Sequence, residues 1–314
     1  MNNMNIDLVY LWVDGNDPVW QAKRNAFFGK TNENTAVNCK GRFIDNDGLK
    51  YSLRSIEKYA PWIRNIFIIT DNQKPTWLDL ANPRIKIIDL VDIMPQESLP
   101  CFNSSLIEKF LHKIPELSEH FLYSNDDMFM NKNVTPNDFF TTDGFPFVFL
   151  QPKPFRKIRW FWREKVCKKP LHNYSLTIST AAKMVEKKYG IYYNGMPHHN
   201  IDAYLKSDCE RVSEQIFASE FKAIQTNHIR SSNDIQRIIY SYVLLAEKHG
   251  HLRYVTKTDS LHVQIHKENH YKKLAKYNPM LFCLNDSQYA QDSDRMRAKD
   301  FLNSRFPEKS SFEK

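Results

Sequence analysis

The chain has 314 residues, 42% of them hydrophobic and 25% charged, with a formal net charge of +8, eight glycines and twenty-one phenylalanines. That length supports a full core in one large or two intimately joined domains, and so few glycines with so many aromatics exclude low-complexity or fibrous architecture. The positive charge points to anionic partners, whether nucleotide, phosphorylated polymer, acidic lipid or nucleic acid, without choosing among them.

Residues 6–13 (IDLVYLWV) read as a central strand, and Asp14-Gly15-Asn16-Asp17-Pro18 as the turn at its carboxyl end. A helix is predicted over 19–28 with Gly29 as its stop, then a polar surface loop over 30–48 containing Arg42-Phe43, then an amphipathic helix over 49–59 ended by Pro61. Strands follow at 65–70 (NIFIIT) and 85–90 (IKIIDL), a loop at 95–103, a helix at 105–114, and strands at 121–123 and 147–150. This alternation predicts an α/β fold: a mostly parallel, Rossmann-like sheet with helices on both faces, whose ligands gather outside the carboxyl ends of the strands. Residues 1–150 would form this half.

The second half, 151–314, reads as mainly helical and packed on the first: helices at 175–189, 200–206, 212–225, 234–249 and 293–306, with short strands at 253–256 and 281–284. It opens on the stretch from Gln151 to Pro170 (QPKPFRKIRWFWREKVCKKP), where lysines and arginines interleave with aromatics. Such a stretch can lie on a membrane surface, grip a polyanion or stack on sugars; alternatively it is a basic loop whose aromatics pack on the second half. No window reaches the ~18–20 apolar residues of a membrane span and the first residues do not form a signal peptide, so the expectation is a cytoplasmic protein. The five scattered cysteines show no CxxC or CxxH spacing, which favours reduced thiols over a zinc site.

The strongest chemical signal is Asn125-Asp126-Asp127, where an apolar strand stops at two adjacent carboxylates. Such a pair repels itself unless a cation or donors hold it, and a divalent metal bound to a diphosphate would do so, although adjacent aspartates also occur in ordinary turns. Glu108 has two readings: the reciprocal partner of Ser105 in a capping box, or a group opening toward the same pocket from a helix end suited to phosphate. His198-His199 precede Asp202, so His198 and Asp202 form either a metal pair on a helix or a histidine oriented by a carboxylate. Arg230 lies in a polar run before a helix, where an arginine either meets an anion or is simply solvated. Cys283-Leu284-Asn285-Asp286 is a further apolar run ending in an amide and an acid.

These motifs together resemble the Stealth family of sugar-1-phosphate phosphotransferases. The first segment is similar to 7–18 (DLVYLWVDGNDP), and the second runs from Arg42-Phe43 through 51–78 to Asn125-Asp126-Asp127. The third runs from Pro197-His198 to the run 230–234, and the fourth is Cys283-Leu284-Asn285-Asp286 with Phe306-Pro307 and Phe312-Glu313. His199-Asn200 are extra residues relative to the animal pattern, leaving open which histidine is functional. The resemblance implies a glycosyltransferase-A-like sheet and transfer of a hexose-1-phosphate, commonly N-acetylhexosamine-1-phosphate, from a UDP-sugar to an acceptor hydroxyl with release of UMP, in capsule or cell-surface polysaccharide synthesis. It implies catalytic roles at Glu108, Asp127, His198 and Arg230.

On this basis Mg²⁺ or Mn²⁺ is expected on Asp127, supported by Asp126 or Asp286, and Trp12, Asp14, Asp71 and Asn125 are expected around the donor. His198 is the expected base, since an unperturbed imidazole titrates near pH 6.5. The acceptor would be a glycan or lipid-linked oligosaccharide, with peripheral membrane contact through Gln151 to Pro170 as one option and no nucleic-acid partner. The alternatives are a metal-dependent glycosyltransferase that releases UDP and, more remotely, a non-catalytic polyanion-binding protein.

Overall fold

The computed structural model describes residues 4–28 and 43–314, so Gly29, Arg42 and most of the polar loop lie outside the described residues. In the first half the strands are β1 (Ile6–Leu11), β2 (Ile66–Thr70), β3 (Ile85–Asp89), β4 (His120–Asn125), β5 (Met128–Met130) and β6 (Phe147–Gln151). In the second half they are β7 (Met196–Pro197), β8 (Asp202–Leu205), β9 (His251–Tyr254), β10 (Ser260–Gln264) and β11 (Leu281–Asn285).

The main sheet runs β3-β2-β1-β4-β8, parallel throughout except for β8, which pairs antiparallel with β4. Side chains alternate across this sheet. Val9, Phe67, Ile69, Phe121 and Tyr123 face one core with the helices Asn173–Tyr189 and Ile238–Glu247. Leu8, Tyr10, Ile66, Ile68 and Leu122 face the other, under the helix Gly48–Tyr59. The sheet is therefore covered on both faces, as its continuous apolar strands require. A second sheet, β10-β11-β5, carries a third core in which Phe129, Phe282 and Phe306 stack. Each such fully buried ring contributes about 1.5–3 kcal/mol.

Several boundaries differ from those predicted. The segment 200–206 is not a helix: β8 occupies it as the antiparallel edge of the main sheet. The helix expected over 234–249 narrows to Ile238–Glu247, and that over 105–114 splits into Ser104–Ile107 and a 3₁₀ turn Glu108–Lys113. The helix Glu268–Tyr277 and strands β5, β7 and β10 were not expected.

At the amino ends of the strands, the fully buried Asp7 carboxylate accepts from Arg64 Nε (2.9 Å), Arg64 NH2 (2.6 Å), Asn65 N (3.1 Å) and Ser118 N (2.7 Å). It ties β1 to the entries of β2 and β4. Asp7→Ala would leave two backbone donors unpaired, each costing about 1–3 kcal/mol. The expected outcome is a loss of roughly 3 kcal/mol, seen as a lower urea midpoint with an unchanged slope.

Candidate active site

Three strand ends form the rim. After β1, Trp12 is buried, and Asp14 is fastened by Gln73, which accepts from Asp14 N (3.0 Å) and donates to Asp14 O (2.9 Å) and to Asp17 Oδ2 (2.9 Å). After β2, one oxygen of Asp71 takes Lys23 Nζ, while Asp71 Oδ2 and the neighbouring Thr70 Oγ1 are buried with no hydrogen-bond partner among the described residues. β4 ends on Asn125, in register with Leu11.

The turn from β4 to β5 carries Asp126 and Asp127. A glycine is required at position 48, because a Cβ there would stand 2.7 Å from the Asp126 carbonyl oxygen. Ser52, one turn further along that helix, donates to Met128 O (2.6 Å) and meets Tyr10 Oη (2.7 Å), which locks the turn from below. On its other side the Asp127 carbonyl accepts from Leu284 N at 2.9 Å. Cys283 Sγ lies 3.1 Å and His199 Nε2 3.8 Å from Asp127 Oδ2, while Asp127 Oδ1 is buried without a partner.

Burial, then the charges of Asp127 and Asp45, push Asp126 well above the usual carboxylate range. Burial works against an ionised Asp127 too, but His199, Cys283 and His262 outweigh it and hold Asp127 below that range. Asp45 is itself pushed up to about 6 by burial and the charge of Asp47. Crowded acids of this kind suit a cation.

A buried chain of charges runs from this edge into the second half. Tyr123 on β4 is in register with Asp202 on β8. The Arg237 guanidinium stacks 4.5 Å above the Tyr123 ring, donating to Glu108 Oε1 (3.2 Å) and Asp202 Oδ2 (2.8 Å). Tyr123 Oη is within hydrogen-bond reach of Glu108 Oε1 (3.0 Å) and Asn125 Oδ1 (2.9 Å). Asp202 Oδ1 lies 2.9 Å from His198 Nε2, and His198 Nδ1 is buried with no partner. Despite burial, His198 and Arg237 hold Asp202 below the usual carboxylate range. The open question of Glu108 is thereby resolved against a cap. Asn103 caps its helix, accepting from Ser105 N at 3.1 Å, and the Glu108 carboxylate turns inward to Arg237 and Tyr123.

With this geometry described, comparison with known proteins places the chain. Residues 4–30 match Stealth protein CR1, conserved region 1, and residues 42–148 match Stealth protein CR2, conserved region 2. A capsular polysaccharide phosphotransferase of Actinobacillus suis is 33% identical, over 97% of this chain and 83% of that protein. The chain belongs to the Stealth family. An exopolysaccharide phosphotransferase of Lactiplantibacillus plantarum is 49% identical over 141 residues, and this Stealth chain spans only 41% of that protein's length. Among solved structures, the galactosyltransferase LgtC in complex with donor and acceptor sugar analogues overlaps 97% of this chain and 98% of its own, at 10% identity and a TM-score of 0.47.

Of the residues singled out in this Stealth sequence, the structure joins Glu108, His198 and Asn125 in one chain and sets Asp126 and Asp127 at its edge. Asp286 is held by Arg295, whose Nε donates to its Oδ2 at 2.7 Å, with Asn46 Nδ2 3.3 Å from the same oxygen. Arg230 stands outside the chain, half-buried, donating to Ser104 Oγ (2.6 Å) at the start of the helix before Glu108. Arg237, Asp45 and His262 were missed. Nothing in the sequence marks Arg237, whereas the period-two run 260–264 (SLHVQ) could have placed His262 on a strand.

Beside Glu108, Lys109 is buried with its Nζ unpartnered between the rings of Phe221 (5.3 Å) and Tyr240 (5.2 Å), and burial pushes its pKa down to about 8. The unfolded lysine titrates near 10.4, so between these values the unfolded state binds the extra proton and stability rises with pH. Lys109→Met should abolish that rise and add on the order of 2 kcal/mol at pH 7, as read from urea unfolding across pH 7 to 10.5.

Proposed function

We propose that this Stealth chain transfers a hexose-1-phosphate, in first place N-acetylhexosamine-1-phosphate, from a UDP-sugar to a hydroxyl of a glycan acceptor, releasing UMP, in capsule or cell-surface polysaccharide synthesis. The observation that carries the proposal is the buried chain from His198 through Asp202, Arg237 and Glu108 to Tyr123 and Asn125, which ends beside Asp126 and Asp127 at the strand edge. Relatives along most of the chain that bear the name capsular polysaccharide phosphotransferase support the reaction class.

In the proposed step the acceptor oxygen bonds to the β-phosphorus and the bond from that phosphorus to the bridging oxygen breaks. The bridging oxygen leaves with UMP, and the hydroxyl proton passes to His198. With Nε2–H directed at Asp202, His198 offers Nδ1 as the proton acceptor, and the imidazolium that forms lies against an ionised carboxylate. Glu108 and Arg237 fix Asp202 and Tyr123 rather than touching the donor. Arg237 already serves two carboxylates, so of these two arginines it is the half-buried Arg230 that would meet the diphosphate. Trp12, Asp14 and Asp71 would surround the nucleoside, where the unpartnered Asp71 Oδ2 and Thr70 Oγ1 supply hydrogen-bonding capacity. The crowded oxygens of Asp126, Asp127 and Asp45 fit Mg²⁺ or Mn²⁺. Such an ion, when bound, would neutralise the diphosphate and the departing nucleotide.

The by-product assay over a panel of nucleotide sugars separates this reaction from sugar transfer: UMP is expected, and UDP would mean a glycosyltransferase. In the same assay His198→Ala should lose about 10²- to 10⁴-fold in turnover with donor affinity little changed. Survival within tenfold would rule out His198 as the base.

We further propose that the stretch from Gln151 to Pro170 meets an anionic membrane surface, where a lipid-linked acceptor would be found. It holds eight basic residues and one acidic residue, nearly the whole net charge of the chain. The stretch contains the helix Arg156–Phe161, continued as a π-helical turn to Val166, and one face of it packs on the body: Arg156 is buried over Trp160 and Tyr192 and donates to Tyr193 O. The other face leaves Phe155, Ile158, Phe161, Trp162 and Val166 between 51% and 69% exposed. Apolar residues flanked by cations lie in the headgroup boundary. Among the described residues no helix is long and apolar enough to cross a membrane. Phe161→Ser with Trp162→Ser should abolish sedimentation with phosphatidylserine vesicles at low salt, while neutral vesicles should bind weakly in either form.

A further inference from the structure

Three side chains from separate segments converge beside the turn after β4, where the Asp127 carboxylate adjoins two of them. Asp127 comes from that turn, His199 from the segment before β8, His262 from β10 and Cys283 from β11. β10 and β11 pair in parallel with His262 opposite Cys283, and β11 pairs with β5 so that Cys283 stands opposite Met128, the residue after Asp127. Sheet register therefore brings three of the four together.

The ligand atoms of His199, His262 and Cys283 all lie within 4.8 Å of one another. Cys283 Sγ is 3.1 Å and His199 Nε2 is 3.8 Å from Asp127 Oδ2. With zinc–sulfur bonds of about 2.3 Å and zinc–nitrogen bonds of about 2.0–2.1 Å, the ligand atoms of a tetrahedral site stand roughly 3.3–3.6 Å apart. The two separations from Asp127 Oδ2, 3.1 Å and 3.8 Å, bracket that range, and the other three ligand atoms lie within 4.8 Å of one another. His199 Nε2, and the second Asp127 oxygen, Oδ1, are also buried with no hydrogen-bond partner among the described residues, an expensive state for polar groups.

We infer that Asp127, His199, His262 and Cys283 form a site for a borderline-soft transition cation of the zinc, cobalt or iron(II) class. Imidazole and thiolate donors select such ions, whereas magnesium takes oxygen donors in octahedral geometry and keeps its waters. The donor set thus differs from the oxygen-only donors of Asp126 and Asp45. A bound ion would clamp the first half to β10, β11 and the His199 segment. The inference does not depend on phosphotransfer, because it is read from metal binding alone.

The test is a cobalt(II) titration of the metal-stripped full chain. One equivalent should bind with a thiolate-to-cobalt charge-transfer band in the near ultraviolet, and a large excess of magnesium should not displace it. Cys283→Ser should lose the band, the exposed-thiol control Cys167→Ser should keep it, and His262→Ala should weaken cobalt binding at least about tenfold. Zinc-edge absorption of the zinc-loaded wild-type protein needs no variant and should show one sulfur in the ligand shell. Absence of the band, its survival in Cys283→Ser, ready displacement by magnesium, or a sulfur-free zinc shell would each overturn the assignment.

Discussion

Everything at the candidate site depends on one buried cation. Arg237 is 6% exposed and stands between two carboxylates, Glu108 from the first half and Asp202 from the second, with its plane against the Tyr123 ring. Burying three charges is costly unless geometry is good and every partner is present, and removing one member of such a set costs about 3–5 kcal/mol. The result is specificity of arrangement. Glu108 is turned away from its own helix end, Asp202 is held ionised for His198, and Tyr123 is aimed at Asn125.

The backbone makes this possible through one antiparallel pair in an otherwise parallel sheet. β8 comes from the second half yet adds beside β4, so Asp202 falls opposite Tyr123 and the two halves share a sheet. The same economy governs the acids. Asp127 is gripped through its backbone by β11 while its neighbour Asp126 is pressed by Gly48 of the helix below, which sets two adjacent carboxylates in different surroundings. Burial and repulsion push Asp126 above the usual carboxylate range, while His199, Cys283 and His262 hold Asp127 below it.

The first half was legible because β1, β2 and β4 are buried on both faces and read as mainly apolar runs with acids just beyond their ends. β8 was misread as a helix: residues 202–205 (DAYL) are too short to show a period, and their strand character comes from a partner some eighty residues earlier. Glu108 satisfied a capping pattern that the chain does not use, because Asn103 caps instead and tertiary charge pairing outweighs the local bond. The metal-type cluster was illegible for a similar reason. Cysteine spacing reveals zinc sites built from neighbouring ligands, whereas Asp127, His262 and Cys283 meet through strand register and His199 reaches them from the segment before β8.

The central claim is that the two halves form one site through Arg237, and a double-mutant cycle tests it most directly. Arg237→Gln, Glu108→Gln and the double variant are unfolded in urea, and the interaction free energy is taken from the four stabilities. The account predicts a coupling above about 1 kcal/mol, as for residues sharing one buried network. Additivity within about 0.3–0.5 kcal/mol would contradict it.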